Sequence, residues 1–286
     1  MISKRFITIC LFLPQLVLAG VLVYGLVNSV LQSVGWIPAV HLTTITGQYY
    51  QEVFSNPSFI QGLWFTLKVG FLSAGLSLLI ALLICYWMLN KASQSERLLH
   101  LFQLPIVVPH LIVALFVLLL FTKAGLIARL LMAMGGQKLS DGMSQWVFHE
   151  NAIGITLAYL WKEVPFIVFF CYPLMKEYTE RFTPVALTLG ATRWQTFWQV
   201  TLPNCWHTLA SSFCIIFAYA VGAYELPKLL GPTVPQTLPE LAYVAYTYPD
   251  LRHRPYAMVM NVVMALIGII CVVGYLLSMS REEDHG

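Results

Sequence analysis

The stretch Gly190-Ala-Thr-Arg-Trp-Gln-Thr-Phe-Trp-Gln-Val-Thr-Leu-Pro203 is polar and aromatic, and it separates two long apolar segments of the chain. Its glycine has no Cβ and therefore permits a sharp turn. Just upstream, Thr183-Pro184 combines a capping hydroxyl with a proline, which favours the start of a helix. Thr192 and Gln195 fit a capping box for a second helix. We therefore predict two short helices that meet at Gly190.

The composition is that of a membrane protein. The chain of 286 residues is 58% hydrophobic and 10% charged, with a mean hydropathy of +0.74, whereas soluble domains carry roughly 25% charged residues. The net charge of +3 is scattered and does not indicate a nucleic-acid-binding surface. Six cysteines lie in or beside apolar segments without CxxC spacing, which favours burial over metal binding.

Six apolar segments are long enough to cross a membrane, because a spanning helix needs about 20 mainly apolar residues. Lys4 and Arg5 precede the first segment, whereas loop 32–61 contains no lysine or arginine, so the positive-inside rule predicts that both termini are cytoplasmic. We expect one membrane-spanning domain, 1–286, with a cytoplasmic loop at 174–206. The predicted spans are 6–31, 62–89, 101–122, 152–173, 206–226 and 256–279.

Three aromatic residues, Trp194, Phe197 and Trp198, share one face of the second short helix because they are spaced i, i+3 and i+4. On a cytoplasmic loop such a cluster can anchor a partner protein, since aromatic side chains bury a large area and are frequent interface hot spots. The alternative is an aromatic belt at the membrane interface. The three residues by themselves favour neither interpretation.

A few ionisable residues lie inside the apolar segments, where charges are costly and usually face a cavity or a partner. Lys162 and Glu163 are in the fourth segment, and Pro165 behind them predicts a break in that span. Lys68, near the outer end of the second segment, either snorkels to the interface or takes part in a functional pair. His110, beside Pro109, is isolated from other polar residues of the spans and is expected to be a hydrogen-bonded packing residue.

The spacing of the 190–203 stretch resembles the cytoplasmic coupling loop, or EAA loop, of permease subunits from type I, binding-protein-dependent ABC importers. That loop reads Glu-Ala-Ala, three residues, Gly, nine residues, then Ile-x-Leu-Pro. The likeness extends over residues 60–280 and includes Trp161-Lys-Glu-Val-Pro-Phe166. The family's glutamate is replaced by Pro184, so that either Glu177 or Glu180 substitutes for it, or the contact is weaker or shared with a second permease. The aligned positions are Pro184-Val185-Ala186, Gly190, Val200, Leu202 and Pro203.

The resemblance implies an all-α, six-span permease fold in the bacterial inner membrane. The chain would form half of a homo- or heterodimer of permeases, beside two ATPase subunits and an external substrate-binding protein. The sequence has no G-x-x-x-x-G-K-[ST] phosphate loop, so ATP and Mg²⁺ are expected in the ATPase. The chain itself is expected to be no enzyme and to hold no cofactor or metal. The residues expected to dock on the ATPase are Pro184, Ala186, Gly190, Ala191, Trp194, Phe197, Trp198, Val200, Leu202 and Pro203.

Two segments, 224–232 and 238–243, resemble the spermidine/putrescine branch of these permeases. Glu163, Glu225 and Asp250 are therefore candidates for a translocation path that accepts a polyamine cation, unless Glu225 caps a helix or pairs with Lys228 and Asp250 pairs with a nearby arginine. Thiamine, iron, phosphonate, sulfate and sugars remain alternative solutes. Two other classes of protein fit the sequence less well. An ion-coupled secondary transporter would have no role for the 190–203 stretch. An integral-membrane enzyme would need a group of polar residues within the spans, whereas His110 is isolated.

Overall fold

The structure is a computed structural model that describes residues 4–91, 95–136, 142 and 145–283. This part of the chain is helical and contains no β-strand beyond an isolated bridge between Ile37 and Leu42. The all-α prediction is confirmed. The helices are α1 Lys4–Ser33, α2 Gln48–Ser55, α3 Pro57–Asn90, α4 Ser95–Leu101, α5 Gln103–Val107, α6 His110–Phe121, α7 Leu126–Ala133, α8 Ile153–Thr188, α9 Arg193–Thr196, α10 Leu202–Asn204, α11 Trp206–Gly222, α12 Glu225–Leu230, α13 Leu238–Tyr246 and α14 Arg254–Glu283.

The chain divides into two compact units, and the single domain 1–286 stays a prediction. The first unit consists of Met1–Ile60 and Leu241–Leu266. Within it, Tyr49 packs edge-on against Tyr256, with ring centroids 5.3 Å apart. Tyr256 donates its hydroxyl hydrogen to Glu52, and this bond, together with one from Gln48, holds the pKa of Glu52 below its usual value. The ring contact and the hydrogen bond therefore join α2 to the start of α14.

The second unit consists of Gln61–Glu240 and Ile267–Gly286, and α8 is its central element. Helix α8 contacts α5, α6, α9, α11 and α12. In an apolar stretch of 18 residues within α8, 61% is buried, whereas the corresponding stretch of α3 is 39% buried. Gly70 lets α3 approach α11 closely, since a Cβ there would lie 3.0 Å from the ring of Phe217. The buried cluster around α8 includes Phe65, Val69, Val113, Ile155, Tyr159 and Leu226.

Five helical segments of the described chain are long and apolar enough to cross a membrane: Phe12–Ser33, Pro57–Asn90, His110–Ala133, Ile153–Thr188 and Leu251–Leu276. A sixth span is possible if Arg193–Asn204 and Trp206–Gly222, which are bent by 69° at the residue between them, count as one. The predicted number of six therefore corresponds to five helices and one bent pair. The cytoplasmic position of both termini stays a prediction.

The third predicted span, 101–122, is broken rather than continuous. Pro109 has no N–H to donate and disfavours helical backbone at the residue before it. Val108 is accordingly extended, with φ −69° and ψ 128°, and α6 begins at His110. The fifth predicted span, 206–226, also ends early, because Ala223 is extended and Glu225 begins the separate helix α12.

Three prolines, Pro165, Pro173 and Pro184, lie inside α8 without interrupting it. The predicted break at Pro165 and the predicted helix start at Pro184 are therefore both wrong. Each proline removes one backbone hydrogen bond. Packing of α8 against its neighbours outweighs that local cost, since most helical stability in proteins comes from tertiary contacts.

Candidate functional site

The 190–203 stretch opens with a tight turn at the end of α8. Gly190 has φ +86°, a left-handed conformation that residues with a Cβ rarely adopt. Its N–H donates to the Leu187 carbonyl at 3.0 Å, and the N–H of Ala191 donates to the Ala186 carbonyl at 3.0 Å. These are the two hydrogen bonds of a Schellman motif. The turn predicted at Gly190 is present, and the helix that leads into it is the end of α8.

The chain leaves the turn through the predicted capping box. The Thr192 hydroxyl accepts from the Gln195 N–H at 3.2 Å, and the Gln195 side chain accepts from the Thr192 N–H at 2.9 Å. The helix that follows is interrupted by a π-helical turn, Phe197–Thr201. Pro203 has no N–H with which to continue the α-helical pattern, and the N–H of Leu202 donates five residues back, to the Phe197 carbonyl.

Contacts with the end of α3 hold the turn in place. The ring of Tyr86 lies 4.9 Å from Trp194 and 5.1 Å from Phe197, measured between centroids. Arg193 donates to the side chain of Asn90 at 3.4 Å across 103 residues of sequence. Sequence analysis missed Tyr86 and Asn90, since no periodicity relates residues so far apart.

The structure corrects the predicted aromatic face. Trp194 is 47% exposed and Trp198 is 40% exposed, whereas Phe197 is only 4% exposed. The ring of Phe197 packs inside the protein because the π-helical turn directs it toward Tyr86. Two of the three aromatic residues are therefore free to meet another surface.

Apolar residues beside the turn are exposed. At the end of α8, Leu189 is 83% exposed and Val185 is 58% exposed. The same helix carries the charged pair Lys176 and Glu180, 3.9 Å apart. Exposed apolar groups that adjoin one another indicate an interaction surface. Of the other predicted docking residues, Pro184 and Pro203 are exposed, and Ala186, Ala191, Val200 and Leu202 are half-buried.

A second group of polar residues surrounds the break in the third span. Lys162 is 9% exposed, and its ammonium donates to the Val108 carbonyl at 2.6 Å. In a continuous helix that carbonyl would accept from the Ile112 N–H, which instead donates to the Pro109 carbonyl at 3.0 Å. Lys162 therefore satisfies a carbonyl that the break leaves without its helical partner.

Glu163, the next residue, faces the other side of the same break. Its Oε1 lies 3.7 Å from Nε2 of His110, and Nδ1 of His110 lies 3.1 Å from the Tyr219 hydroxyl. An imidazole protonated on Nε2 accepts the Tyr219 hydrogen and directs its own N–H toward Glu163. His110 is hydrogen-bonded, as predicted, but it is not isolated, because Glu163 and the sequence-distant Tyr219 both lie beside it.

The three acids predicted for a path have different surroundings. Glu225 is the first residue of α12 and lines, with Tyr219, a cavity of about 320 Å³. Glu163 lies 3.7 Å from His110, and His110 is hydrogen-bonded to Tyr219, which lines the same cavity as Glu225. Asp250 belongs to the first unit, where its carboxylate accepts the Arg252 N–H at 2.9 Å and caps a 3₁₀ turn.

Two solved structures share the fold. A chain of a bacterial alginate ABC transporter, crystallised in complex with a periplasmic protein that holds an alginate pentasaccharide, gives a TM-score of 0.75 at 17% identity, over 95% of this chain and 93% of that one. A chain of the MetNI methionine ABC transporter in inward-facing conformations gives a TM-score of 0.51 at 16% identity, over 78% of this chain and 93% of that one.

Relatives at the level of sequence are permease proteins. The sulfate transport system permease protein CysT of Escherichia coli (strain K12) is 27% identical over 187 residues, 65% of this chain and 64% of that protein. A probable sulfate transport system permease protein of Chlorella vulgaris is 29% identical over 119 residues, 41% and 44% of the two chains. A putative ferric transport system permease protein of Haemophilus influenzae is 26% identical over 195 residues, 68% and 28%. The chain spans less than two thirds of each relative.

The family of binding-protein-dependent transport system inner membrane components matches over residues 73–280. The matched range contains both the turn at Gly190 and the residues that surround the break in the third span. Since it covers well over half of the 286 residues, the chain belongs to the family of binding-protein-dependent transport system inner membrane components.

Proposed function

We propose that the chain is the permease subunit of an ATP-driven importer in the bacterial inner membrane. The observation that carries the proposal is the turn at Gly190, a rigidly capped and largely exposed structure at the end of the most buried helix of the second unit. A protein that only needed to join two spans would have no use for two half-exposed tryptophans and the exposed Leu189 at this position.

The turn would dock in a groove of an ATPase subunit, which binds ATP and Mg²⁺ and whose closure moves the helices that line the path. A second permease subunit, identical or different, completes the path. A substrate-binding protein delivers the solute from outside. The alginate transporter, which shares the fold, is crystallised with a periplasmic protein of that kind.

The glutamate that opens the loop in related permeases is absent, and Glu177 is the better substitute. Pro184 occupies the aligned position within α8. Both glutamates are exposed, but Glu180 lies 3.9 Å from the ammonium of Lys176, which reduces its negative potential. We infer that Glu177 supplies the acidic contact to the ATPase.

Sulfate is the first candidate for the solute, because relatives in Escherichia coli and Chlorella vulgaris are sulfate permeases. Ferric iron is the corresponding candidate from the Haemophilus influenzae relative. A polyamine cation is favoured by a different observation: Glu225 lines a cavity together with Tyr219, and Tyr219 is hydrogen-bonded to His110, which lies 3.7 Å from the buried Glu163. We place only these two acids on the path, since Asp250 caps a turn.

Reconstitution in proteoliposomes with the ATPase and the binding protein tests both the role and the solute. We expect ATP-dependent uptake of one radiolabelled compound among sulfate, ferric iron and spermidine. Vesicles that lack the binding protein, or that contain an ATPase with its phosphate-loop lysine replaced, serve as controls and should show none. Uptake that needs no ATPase and collapses when the ion gradient is dissipated would contradict the proposal and favour a secondary transporter.

Gly190→Val should uncouple the permease from its ATPase. A left-handed backbone costs a residue with a Cβ about 1–2 kcal/mol, so we expect roughly a tenfold loss of ATP-driven uptake. A Cβ added at Gly190 would meet no atom within 4 Å, so the effect should come from backbone conformation and not from a clash within the chain. Gly190→Asn is the matched control, because asparagine tolerates this region. Equal uptake by the valine and asparagine variants would contradict the prediction that the left-handed backbone at Gly190 is needed for coupling.

The aromatic residues of the turn should separate into two classes. Alanine at both Trp194 and Trp198 should lower the melting temperature less than Phe197→Ala does, because both tryptophans are at least 40% exposed. It should weaken copurification of the ATPase, with a loss on the order of 30-fold in affinity for a hot-spot residue. Phe197→Ala should instead lower the free energy of unfolding by about 3 kcal/mol or more, because the ring is buried. Undiminished copurification in the double variant would support an aromatic belt instead.

A further inference from the structure

Two consecutive residues of α8 lie against the break at Val108 and Pro109, Lys162 through a hydrogen bond and Glu163 through proximity to His110. Lys162 binds the Val108 carbonyl at 2.6 Å, directly after the end of α5. Glu163 faces His110, the first residue of α6, at 3.7 Å. Consecutive helical residues project in directions about 100° apart, which lets one side chain reach each side of the break.

These contacts resist separation because both groups are buried. Lys162 is 9% exposed and Glu163 is 8% exposed. A charge withdrawn from its partner in an apolar interior loses its compensation at a cost much larger than that of breaking a surface contact. If α8 is displaced near Lys162 and Glu163, either the break moves with it or the buried Lys162 ammonium loses its partner.

Helix α8 also connects the break to the turn at Gly190. From Lys162 to Thr188 it continues without interruption, which corresponds to about 39 Å of helix at 1.5 Å per residue. The Schellman motif and the capping box fix the orientation of the turn at the other end. One continuous element thus joins an exposed docking structure to a buried pair of contacts on another span.

We propose that Lys162 and Glu163 are positioning residues that transmit movement of the turn to the third span, so that the break and the start of α6 move together with α8 during transport. The inference rests on the proposed role as an importer permease. Removal of the Lys162 contact leaves the ATPase able to hydrolyse ATP and disconnects that hydrolysis from movement of the path. A purely structural role would instead lower assembly, ATP hydrolysis and uptake together.

Lys162→Met removes the donor and keeps the apolar stem, and it tests the inference in the reconstituted complex. We expect solute transported per ATP hydrolysed to fall about tenfold, the factor that one hydrogen bond from a charged group is typically worth. ATP hydrolysis stimulated by the binding protein should stay near the wild-type level. Lys162→Arg should restore the ratio, because the guanidinium also donates to the carbonyl.

Lys68→Met is the matched control. The Lys68 ammonium donates to the Glu150 carbonyl at 2.8 Å, a contact of the same chemical kind in the same unit, but it does not touch the break. This variant should transport as many solute molecules per ATP as the wild type. If Lys162→Met assembles poorly, the ratio of solute transported to ATP hydrolysed is measured in Lys162→Gln, which shortens the side chain and removes its charge.

The outcomes distinguish this inference from the proposed function. A wild-type complex that shows no ATP-dependent uptake refutes the importer role itself. With uptake established, an unchanged ratio in Lys162→Met, or an equal fall in Lys68→Met, overturns the role of Lys162. A loss of assembly in Lys162→Met and Lys162→Gln alike, restored by Lys162→Arg, shows a structural role only and likewise overturns the inference.

Discussion

A chain that crosses an apolar layer must pair every backbone N–H and C=O group within the protein, because no water is present to do so. The second unit meets this constraint at its interruptions as well as within its helices. At Val108 an ammonium from α8 takes the place of the missing helical donor. At Gly190 two returning N–H groups close the end of α8. The interruptions are therefore defined structures with particular partners, and they can act as joints between rigid segments.

Helix α8 gives these joints a common frame. It is the element that α5, α6, α9, α11 and α12 all contact, and its three prolines do not divide it. At one end it carries an exposed turn with the properties of a docking surface. Toward the other end it carries the contacts to the third span and, through His110 and Tyr219, the cavity lined by Glu225. In this arrangement, a movement of the Gly190 turn is transmitted through α8 to the polar residues within the spans.

The features that the sequence predicts well are local. The Gly190 turn and the Thr192–Gln195 capping box depend on residues within a few positions of one another, and both are present. The proline predictions fail because packing of α8 outweighs local preference. The contacts of His110 with Glu163 and Tyr219, and of Tyr86 with the turn, join residues far apart in sequence, so periodicity could not reveal them. The break at Pro109 had a local signal in Val107-Val108-Pro109, but the apolar composition around it predicted a continuous span.

Rigid movement of α8 with the start of α6 is the central claim, and a distance between spin labels tests it most directly. Labels at Glu180 of α8, whose side chain is 68% exposed, and at Leu111 of α6, 50% exposed, are placed in a background without the native cysteines and measured in nucleotide-free and ATP-trapped complexes. The account predicts the same narrow distance distribution in both states for the wild type, and a shifted or broadened one in the ATP-trapped state of Lys162→Met. A wild-type distance that changes on ATP trapping, or a variant that behaves as the wild type, would contradict it.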